Sequence, residues 1–470
     1  MLNFTPLDKE VGFLKKYFEK SAISFCDISL GVRFMWREDF RIEYAVYNDT
    51  LIMRETSSDY KNAFYYPMGE DVPGALNQIE EYCIKNNQPL IFCCIDNKTV
   101  ALLSERYYHL TVHNDRGWSD YIYDAEKFKT FSGKKYGGQR NHVNKFKKTY
   151  PDYKVKPITR QDLENVKEFM WRYEAENDFS VWTAREEQRK IEEFLDNMFE
   201  LGQQGCFIEV DGKVVALSIG ERINDCLIVH IEKGLKEYQG VYPTMANEFA
   251  KAFANDGIKY INREEDCGDM GLRISKLQYQ PIEVKEKNVV SVRTLFDKIV
   301  SPIKLTTERL TVSDILKEDA EDYYRLYMDD ELNKYWGYDY REDLKGETPS
   351  PKYFYDFMTG LKEKKEEYSL AVRKEGKMIG ELVLHNFDFE GGVEIGYRIF
   401  KEYQRKGYAK ESAKALISYA FYFLKAKTVK TRCCKPNVAS RSLIKSLGFI
   451  NSREDENCYY FKMTQQNKKD

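Results

Sequence analysis

The feature of the sequence that most constrains the fold is an internal repeat. The segment Leu235–Phe253 resembles the segment Phe400–Leu416, and both carry Lys-Glu-Tyr-Gln directly after their first residue. The two segments begin about 165 residues apart, and each follows a strand-like apolar run and opens an amphipathic helix pattern. A repeat of this kind indicates that one supersecondary unit occurs at least twice in the chain.

The elements around the two segments also come in the same order. Strand-like runs precede them at Cys226–Ile231 and Val393–Phe400. A second strand and a further helix pattern follow each segment at nearly the same offset, at Ile258–Asn262 with Leu272–Tyr279 and at Val429–Cys433 with Ser442–Phe449. A four-residue match arises by chance, but conserved order of the flanking elements does not, so we predict two homologous units.

The length of 470 residues favours two or three cores over one. Strand-like runs at Ile42–Tyr47 and Pro89–Ile95, with a helix pattern between them from Val72 to Asn86, predict a third and more divergent copy. Pro151 breaks a basic helix, and Ser301-Pro302 separates two strand-like stretches. The predicted domains are therefore residues 1–149, 150–299 and 300–470.

The composition narrows the class of protein. Lys and Arg total 73 against 76 for Asp and Glu, so the net charge gives no global attraction to nucleic acid or anionic lipid. No apolar run reaches the roughly 18 residues of a membrane helix, so we expect a cytoplasmic protein without a membrane span. The ten Cys form no C-x-x-C and lie mostly in apolar runs, and the five His are scattered. We expect reduced buried thiols and no metal site.

The segment Gln404–Ala409 has the spacing Q-x-x-G-x-A and lies between a strand pattern and a helix pattern that runs to about Ala426. A glycine allows a tight turn, and the free N–H groups at the start of a helix face an anion with the positive end of the helix dipole behind them. Arg405 and Lys406 add positive charge beside the turn. The pattern predicts a pyrophosphate site, although six residues of this composition could simply begin a helix.

The context of this loop resembles the GNAT superfamily of N-acetyltransferases. Glu394–Ile399 precedes it, Asn437–Ser440 and then Leu447–Phe449 follow it, and Leu305–Val312 opens the domain as in the ribosomal-protein N-acetyltransferase-like branch. The resemblance implies acetyl-CoA as cofactor and direct attack of an amine on the thioester. It also implies an α+β chain of three consecutive GNAT-like acyltransferase folds, each a mixed twisted sheet flanked by helices.

The resemblance assigns the cofactor-binding residues. The pyrophosphate would lie on the loop, the pantetheine would pair with the end of the preceding strand, and its inner end would lie near the start of the last helix. The residues concerned are Gln404, Arg405, Lys406, Gly407, Tyr408 and Ala409 for the loop, Arg398 and Ile399 for the strand, and Asn437 and Ser440 for the helix.

Direct attack needs a base for the amine proton, a donor for the oxyanion and a proton for the thiolate. We predict Glu394 as the base, with Glu381 on the preceding strand as the alternative, although a solvent-facing strand Glu is an equally good reading. A backbone N–H of the cofactor strand can serve the oxyanion. Many relatives supply the acid as a Tyr where this chain has Ile444, so Ser440, water or no dedicated acid stay open.

The N-terminal two thirds resemble the C-terminal domain family of phosphatidylglycerol lysyltransferases. The resemblance rests on Gly133–Lys148, His230–Lys233, Asn262–Asp266 and Gly271–Leu277. Lipid-modifying members of that family take the amino acid from aminoacyl-tRNA, so the basic segment 134–148 would fit tRNA, although a solvated basic helix has the same composition. The sequence shows none of the membrane spans of those members, so a lipid acceptor is not expected.

The middle copy departs from the loop pattern. It reads Gln239–Thr244, with the glycine displaced and with Pro243 removing one backbone donor, so acetyl-CoA is not expected there. The polar run Arg263–Asp266 follows a predicted strand, where α/β units often place a site, but a solvated loop would look the same.

The leading expectation is therefore an enzyme that acetylates a primary amine of a small molecule or a protein. One alternative is aminoacyl transfer from tRNA by the N-terminal copies. The other is a non-catalytic module that recognises a ligand. The sequence does not select an acceptor or an oligomeric state.

Overall fold

The computed structural model describes residues 2–21, 23–57, 60–177, 182–336, 339–342, 344 and 346–467. The chain forms two compact units. The first contains Met1–Ile84, Leu90–Leu102 and Val112–Ser291, and the second contains Lys85–Pro89, Leu103–Thr111 and Val292–Asp470. Across the residues just given, no helix is both long enough and apolar enough to cross a bilayer.

Three mixed sheets, each with helices around it and each containing a parallel pair of strands, form the framework of the chain. The predicted series of three GNAT-like folds is thereby confirmed. The first sheet contains, in spatial order, Thr5–Pro6, Glu43–Tyr47, Thr50–Glu55, Ala63–Phe64, Leu90–Ile95, Asn288–Val292 and Leu110–Asn114, with Met68–Gly69 beside Thr50–Glu55.

The second sheet contains Glu283–Lys285, Asp120–Asp124, Tyr260–Asn262, Cys226–Gly234, Lys213–Ile223, Gln204–Val210 and Lys154–Pro157. The α-helices up to this point of the chain are Lys15–Phe18, Leu30–Trp36, Val72–Lys85, Asn97–Arg106, Ala125–Thr130, Gly137–Thr149, Leu163–Ala175, Trp182–Asn197, Val241–Phe253 and Met270–Gln278. Since the first two sheets take strands from both sides of residue 150, the division into residues 1–149, 150–299 and 300–470 stays a prediction.

The third sheet belongs to the second unit. In spatial order it contains Lys304–Thr306, Thr311–Asp314, Glu367–Lys374, Lys377–His385, Gly392–Ile399, Thr428–Cys434, Cys458–Thr464 and Ile450–Glu454. Its α-helices are Ala320–Met328, Asp330–Asn333, Pro351–Glu363, Tyr408–Tyr422 and Val438–Leu447. Apolar side chains of the strands and of the last two helices form one buried core that includes Val372, Leu382, Val393, Leu416 and Ile444.

The repeated order of elements is confirmed. Cys226–Gly234 and Gly392–Ile399 are strands, and each leads into a helix, a parallel strand and a further helix. The helix that was expected to run to about Ala426 ends at Tyr422. It ends there because the N–H groups of Leu424 and Ala426 turn back onto the carbonyls of Tyr419 and Ala420, while Lys425 takes a φ of 61°.

Candidate functional site

The central strands of the third sheet separate after a short paired stretch. Gly392–Ile399 and Thr428–Cys434 pair in parallel only from Gly392 to Glu394, although both strands continue beyond that point. At Ile395 the carbonyl is bonded instead by the hydroxyl of Thr431, at 3.0 Å. The separation leaves a gap in which an extended ligand can form the backbone hydrogen bonds that a neighbouring strand would otherwise form.

The loop before helix Tyr408–Tyr422 presents a row of backbone donors. Gly407 caps the helix with a φ of 83°, and Arg405 also lies in the left-handed region with a φ of 57°. In the described structure the N–H groups of residues 405–410 have no protein acceptor, and the first bonded N–H is that of Glu411, to the Gly407 carbonyl at 3.0 Å. Consecutive free N–H groups at the positive end of a helix form an anion site.

Side chains brace this loop without covering it. Arg309 donates to the carbonyl of Lys406 at 3.1 Å and forms an ion pair with Glu411 at 2.7 Å. Gln404 donates to the carbonyl of Ile399 at 2.9 Å, and Lys406 donates to the carbonyl of Glu402 at 2.8 Å. Among the described residues, a Cβ added at Gly407 would meet only the Arg309 guanidinium, at 3.2 Å, so the loop is open to a ligand.

Two hydroxyl groups lie beside the gap. Asn437 caps helix Val438–Leu447 by accepting the N–H of Ser440 at 3.0 Å. The hydroxyl oxygens of Ser440 and Tyr397 are 2.9 Å apart. Burial raises the pKa of Tyr397 to about 12 although the hydrogen bond to Ser440 lowers it, so this phenol is protonated at neutral pH. Ile444 lies in the apolar core and offers no proton.

Glu394 lies on the opposite face of the strand from Tyr397, because successive side chains alternate. Its carboxylate accepts from Asn386 at 3.0 Å and lies 3.5 Å from Arg432 and 3.9 Å from His385. Its side chain is 13% exposed. Burial lowers the pKa of His385 more than the Glu394 carboxylate raises it, and Arg432 lowers it further. A held carboxylate beside a neutral imidazole can accept and pass on a proton.

Glu381 lies in a different setting. It is fully buried and pairs with Arg398, with one oxygen 2.5 Å from Nη2 and 3.0 Å from Nε. The guanidinium lies between the rings of Tyr327 and Trp336, 4.5 and 4.2 Å from their centroids. The register sets Glu381 opposite Arg398 and His385 opposite Glu394. The two carboxylates are therefore separated by about 13 Å along the strands and do not share a reacting centre.

The side chain of Arg398 is used by this ion pair, so only its backbone is left for a cofactor. Ile399 contributes its carbonyl to Gln404 and its apolar side chain to the core. His385, Tyr397, Trp336 and Arg309 were not expected from the sequence as site residues. The signal that could have identified His385 is the strand register that sets it opposite Glu394. The sequence alone does not define that register. The roles of the sequence-predicted site residues stay predictions.

The middle fold also has a glycine at the start of the corresponding helix, but another helix covers the turn there. Gly240 follows Gln239 directly in the sequence, yet it caps helix Val241–Phe253 with a φ of 86°, as Gly407 caps the corresponding helix of the third fold. The carbonyl of His142 lies 2.4 Å from the position of a Cβ at Gly240, because helix Gly137–Thr149 packs over the turn. The N–H of Val241 is bonded to Tyr238 at 3.0 Å.

The middle fold has a buried histidine, His230, on strand Cys226–Gly234, just beyond the stretch that pairs with Tyr260–Asn262. His230 has Nε2 2.9 Å from Glu221 and Nδ1 2.7 Å from Glu264. Burial alone would lower its pKa, but the hydrogen bonds to both carboxylates outweigh it and raise the pKa to about 9. His230 is therefore an imidazolium held between two carboxylates.

The polar run Arg263–Asp266 belongs to the same buried network. Arg263 pairs with Glu232 at 2.6 Å, and Asp266 pairs with Arg273 at 2.8 Å. Glu265 contacts Lys287, whose ammonium also lies 2.8 Å from Asp120. This run is a set of internal ion pairs and not a solvated loop.

Within the part of the chain that the structure describes, two groups of side chains are close enough together to hold a metal ion, namely Cys26, Asp120 and Glu265, and Glu55, Cys93 and Cys94. The first group surrounds the ammonium of Lys287, 3.2 Å from the sulfur of Cys26. Arg33 lies 3.6 Å from Glu55 in the second. A protein cation therefore lies in or beside each group.

Comparison with known proteins agrees with both resemblances. The family model described as phosphatidylglycerol lysyltransferase, C-terminal, matches residues 20–290, and the acetyltransferase (GNAT) domain model matches residues 309–450. A solved structure of a conserved protein of unknown function from Bacteroides thetaiotaomicron VPI-5482 is 29% identical, with a TM-score of 0.57, over 62% of this chain and all of that one.

Relatives of the C-terminal part are named as N-acetyltransferases. The uncharacterized N-acetyltransferase YnaD of Bacillus subtilis is 28% identical over 146 residues, and the uncharacterized N-acetyltransferase p20 of Bacillus licheniformis is 29% identical over 146 residues. Each match covers 31% of this chain and 81% of the relative. The GNAT domain and these relatives support acyl transfer to amines, and the chain is an acyltransferase. Since the first family model covers more than half of the 470 residues, the chain belongs to the phosphatidylglycerol lysyltransferase C-terminal family, to which it adds a GNAT acetyltransferase domain.

Proposed function

We propose that the GNAT domain transfers the acetyl group of acetyl-CoA to a primary amine. The observation that carries the proposal is the open row of N–H groups at residues 405–410, located beside the gap between two separating strands. A pyrophosphate on this row would leave the pantetheine chain to run along Gly392–Ile399. The backbone there, at Arg398 and Ile399, would form hydrogen bonds with the pantetheine amides, and Asn437 and Ser440 would line its inner end.

The two proton transfers of the proposed reaction take place on opposite faces of strand Gly392–Ile399. The amine nitrogen attacks the thioester carbon, and Glu394 with His385 takes the proton that the amine loses. A backbone N–H in the gap stabilises the oxyanion. The C–S bond then breaks, and the thiolate takes a proton from the Tyr397 and Ser440 pair on the other face. The attack of the amine and the departure of the thiolate thus use different proton-transfer groups. Glu381 is bound to Arg398 and stabilises the fold.

Isothermal titration with acetyl-CoA tests the cofactor half of the proposal. Gly407→Trp places an indole in the row of N–H groups, and binding should be lost. The matched control is Gly376→Trp, because Gly376 has a φ of 84° and nothing within 4 Å of its Cβ position, so it carries the same backbone strain away from the loop. Equal affinity of the two variants, or no binding by the wild type, would refute the proposal.

The acceptor is proposed only as a primary amine, on a small molecule or a protein, in the cytoplasm. Release of free CoA thiol, measured over a panel of polyamines, amino sugars and peptide N-termini, identifies the class. If the domain is instead a non-catalytic recognition module, it should bind acetyl-CoA tightly but release no CoA thiol with any amine of the panel.

A second candidate function, for the first unit, is aminoacyl transfer from tRNA. It is supported by the family match over residues 20–290 and by the exposed cations Lys134, Lys135, Lys145 and Lys148 along helix Gly137–Thr149 and the turn before it. Filter binding of aminoacyl-tRNA should then weaken steeply with salt and with Lys145→Glu plus Lys148→Glu. Binding that ignores both changes would exclude this segment as the tRNA contact.

A further inference from the structure

Two cysteines face each other across neighbouring strands of the third sheet. Cys434 ends strand Thr428–Cys434, and Cys458 begins strand Cys458–Thr464. The antiparallel register sets them directly opposite each other, and their sulfur atoms are 3.7 Å apart. Both side chains are partly exposed. A disulfide bond could therefore join these two cysteines with little movement of the backbone.

The hydrogen-bond pattern identifies the type of pair. Lys435 donates its N–H to the carbonyl of Asn457 at 2.9 Å, so residues 435 and 457 form a hydrogen-bonded pair in this register. Such pairs alternate with non-hydrogen-bonded pairs, so Cys434 and Cys458 form a non-hydrogen-bonded pair. The Cα atoms of such a pair are about 4.5 Å apart, at the short end of the range that a disulfide spans.

The two thiols are not equivalent. The thiol of Cys458 donates to the sulfur of Cys434. Burial and this interaction with Cys434 raise the pKa of Cys458 to about 11, although Arg432 lowers it. The raised pKa keeps Cys458 protonated at neutral pH, so we assign the first attack to Cys434 and the second to Cys458.

We propose that Cys434 and Cys458 are a reversible oxidation site that forms an intramolecular disulfide with a small-molecule disulfide as the oxidant. The Cys434 thiolate attacks one sulfur of the oxidant, the oxidant's S–S bond breaks, and its first half leaves as a thiol with the proton from Cys434. The Cys458 thiolate then attacks the sulfur of Cys434 and releases the second half as a thiol with the proton from Cys458. Two cysteines are oxidised and one disulfide is reduced.

The position of the pair gives the disulfide a structural consequence. It would join two strands at the end where Cys434 leads, after Lys435 and Pro436, into the helix cap at Asn437. The same end carries the turn Asp455–Cys458, held by the Asp455 carboxylate, which accepts the N–H of Cys458 at 2.7 Å. A covalent link here would fix the edge of the gap described above, whether or not acetyl-CoA is the ligand.

The test uses the full chain under native conditions with oxidised glutathione as the probe. The protein is treated, its remaining thiols are alkylated, and it is digested with trypsin, which separates residues 433–441 from residues 454–462. The expected product is a pair of these peptides joined with the loss of two hydrogens, and dithiothreitol before alkylation should reverse it. Fragment ions of the wild-type pair distinguish Cys434 from its neighbour Cys433.

Cys433→Ser is the matched control, because Cys433 is buried on the opposite face of the same strand and shares the tryptic peptide. This variant should form the link as fully as the wild type, and Cys434→Ser should form none. The proposal is overturned if the wild-type cysteines both remain alkylatable, if they carry only separate glutathione adducts, or if the link appears only in urea.

Discussion

Glu394 combines several hydrogen-bond partners with limited exposure, and this makes it the residue on which the proposed chemistry depends most. Asn386 donates to it, and Arg432 and the neutral His385 lie within 4 Å. A base held in this way is positioned before the substrate arrives and keeps a path to solvent through the histidine. No sequence motif links Asn386 or Arg432 to Glu394.

Glu394→Gln should reduce kcat/KM for amine acetylation by roughly 10²- to 10⁴-fold, because the amide keeps the shape of the side chain but cannot take a proton. The affinity for acetyl-CoA should not change. Glu390→Gln is the control, since Glu390 is exposed nearby. Steady-state kinetics and titration on the same preparations check both statements, and an unchanged kcat/KM would remove Glu394 from the mechanism.

His230 should make the first unit less stable as the pH rises above neutrality. Its folded pKa of about 9 exceeds the ordinary value of 6.5, so its contribution is fully present below about pH 6.5 and is lost as the pH rises through about 9. The shift corresponds to about 3 kcal/mol. Urea unfolding between pH 6 and 10 should show this decline in the wild type.

The decline should be absent in His230→Gln and unchanged in His113→Gln, where an exposed histidine is replaced. A decline of equal size in all three proteins would assign the pH dependence to other groups.

Single site residues were predictable where the local backbone conformation or a family motif determines the residue type. They were not predictable where tertiary packing brings side chains together. Gly407 could be identified because a helix that starts at an anion site needs a residue that adopts a positive φ. Ile444 was visible as a departure because the family resemblance identifies the position at which many relatives have Tyr. By contrast, Trp336 lies against Gly396 and Arg309 against Gly407 only because distant segments pack there.

At the scale of elements, the two glycine-capped helices show how one motif is kept open in one fold and closed in another. Gly407 faces a single flexible side chain, whereas Gly240 faces the backbone of helix Gly137–Thr149. The hydrophobic pattern predicted both helices and their strands to within a few residues, because periodicity reports which face of an element is buried. It does not report which other element covers that face, and so the closing helix was not foreseen.

Gly240→Ala should therefore destabilise the first unit more than Gly257→Ala. Both positions have positive φ, at 86° and 91°, and carry a similar strain of about 1–2 kcal/mol for a non-glycine residue. Only at Gly240 would the new methyl group meet backbone, at 2.4 Å, which adds about 1–3 kcal/mol. Denaturant midpoints of the two variants measure the difference, and equal midpoints would show that helix Gly137–Thr149 does not hold the turn closed.

At the scale of the whole molecule, the folds built on the second and third sheets differ in what surrounds their central strand and the glycine-capped helix after it. In the third fold, as described, the N–H groups of residues 405–410 have no protein acceptor, whereas in the second the turn at Gly240 is covered by a helix and His230 is held between two carboxylates. The repeat made this series of folds predictable from the sequence. The sharing of strands on both sides of residue 150 was not predictable, because short segments such as Asp120–Asp124 can add to any sheet edge that accepts their register.

This division of roles predicts one acetyl-CoA per chain, located in the GNAT domain. Native mass spectrometry of the full chain with excess acetyl-CoA should show a single adduct, which Gly407→Trp abolishes and Gly376→Trp keeps. Two adducts per chain, or a single adduct that survives Gly407→Trp, would contradict the account.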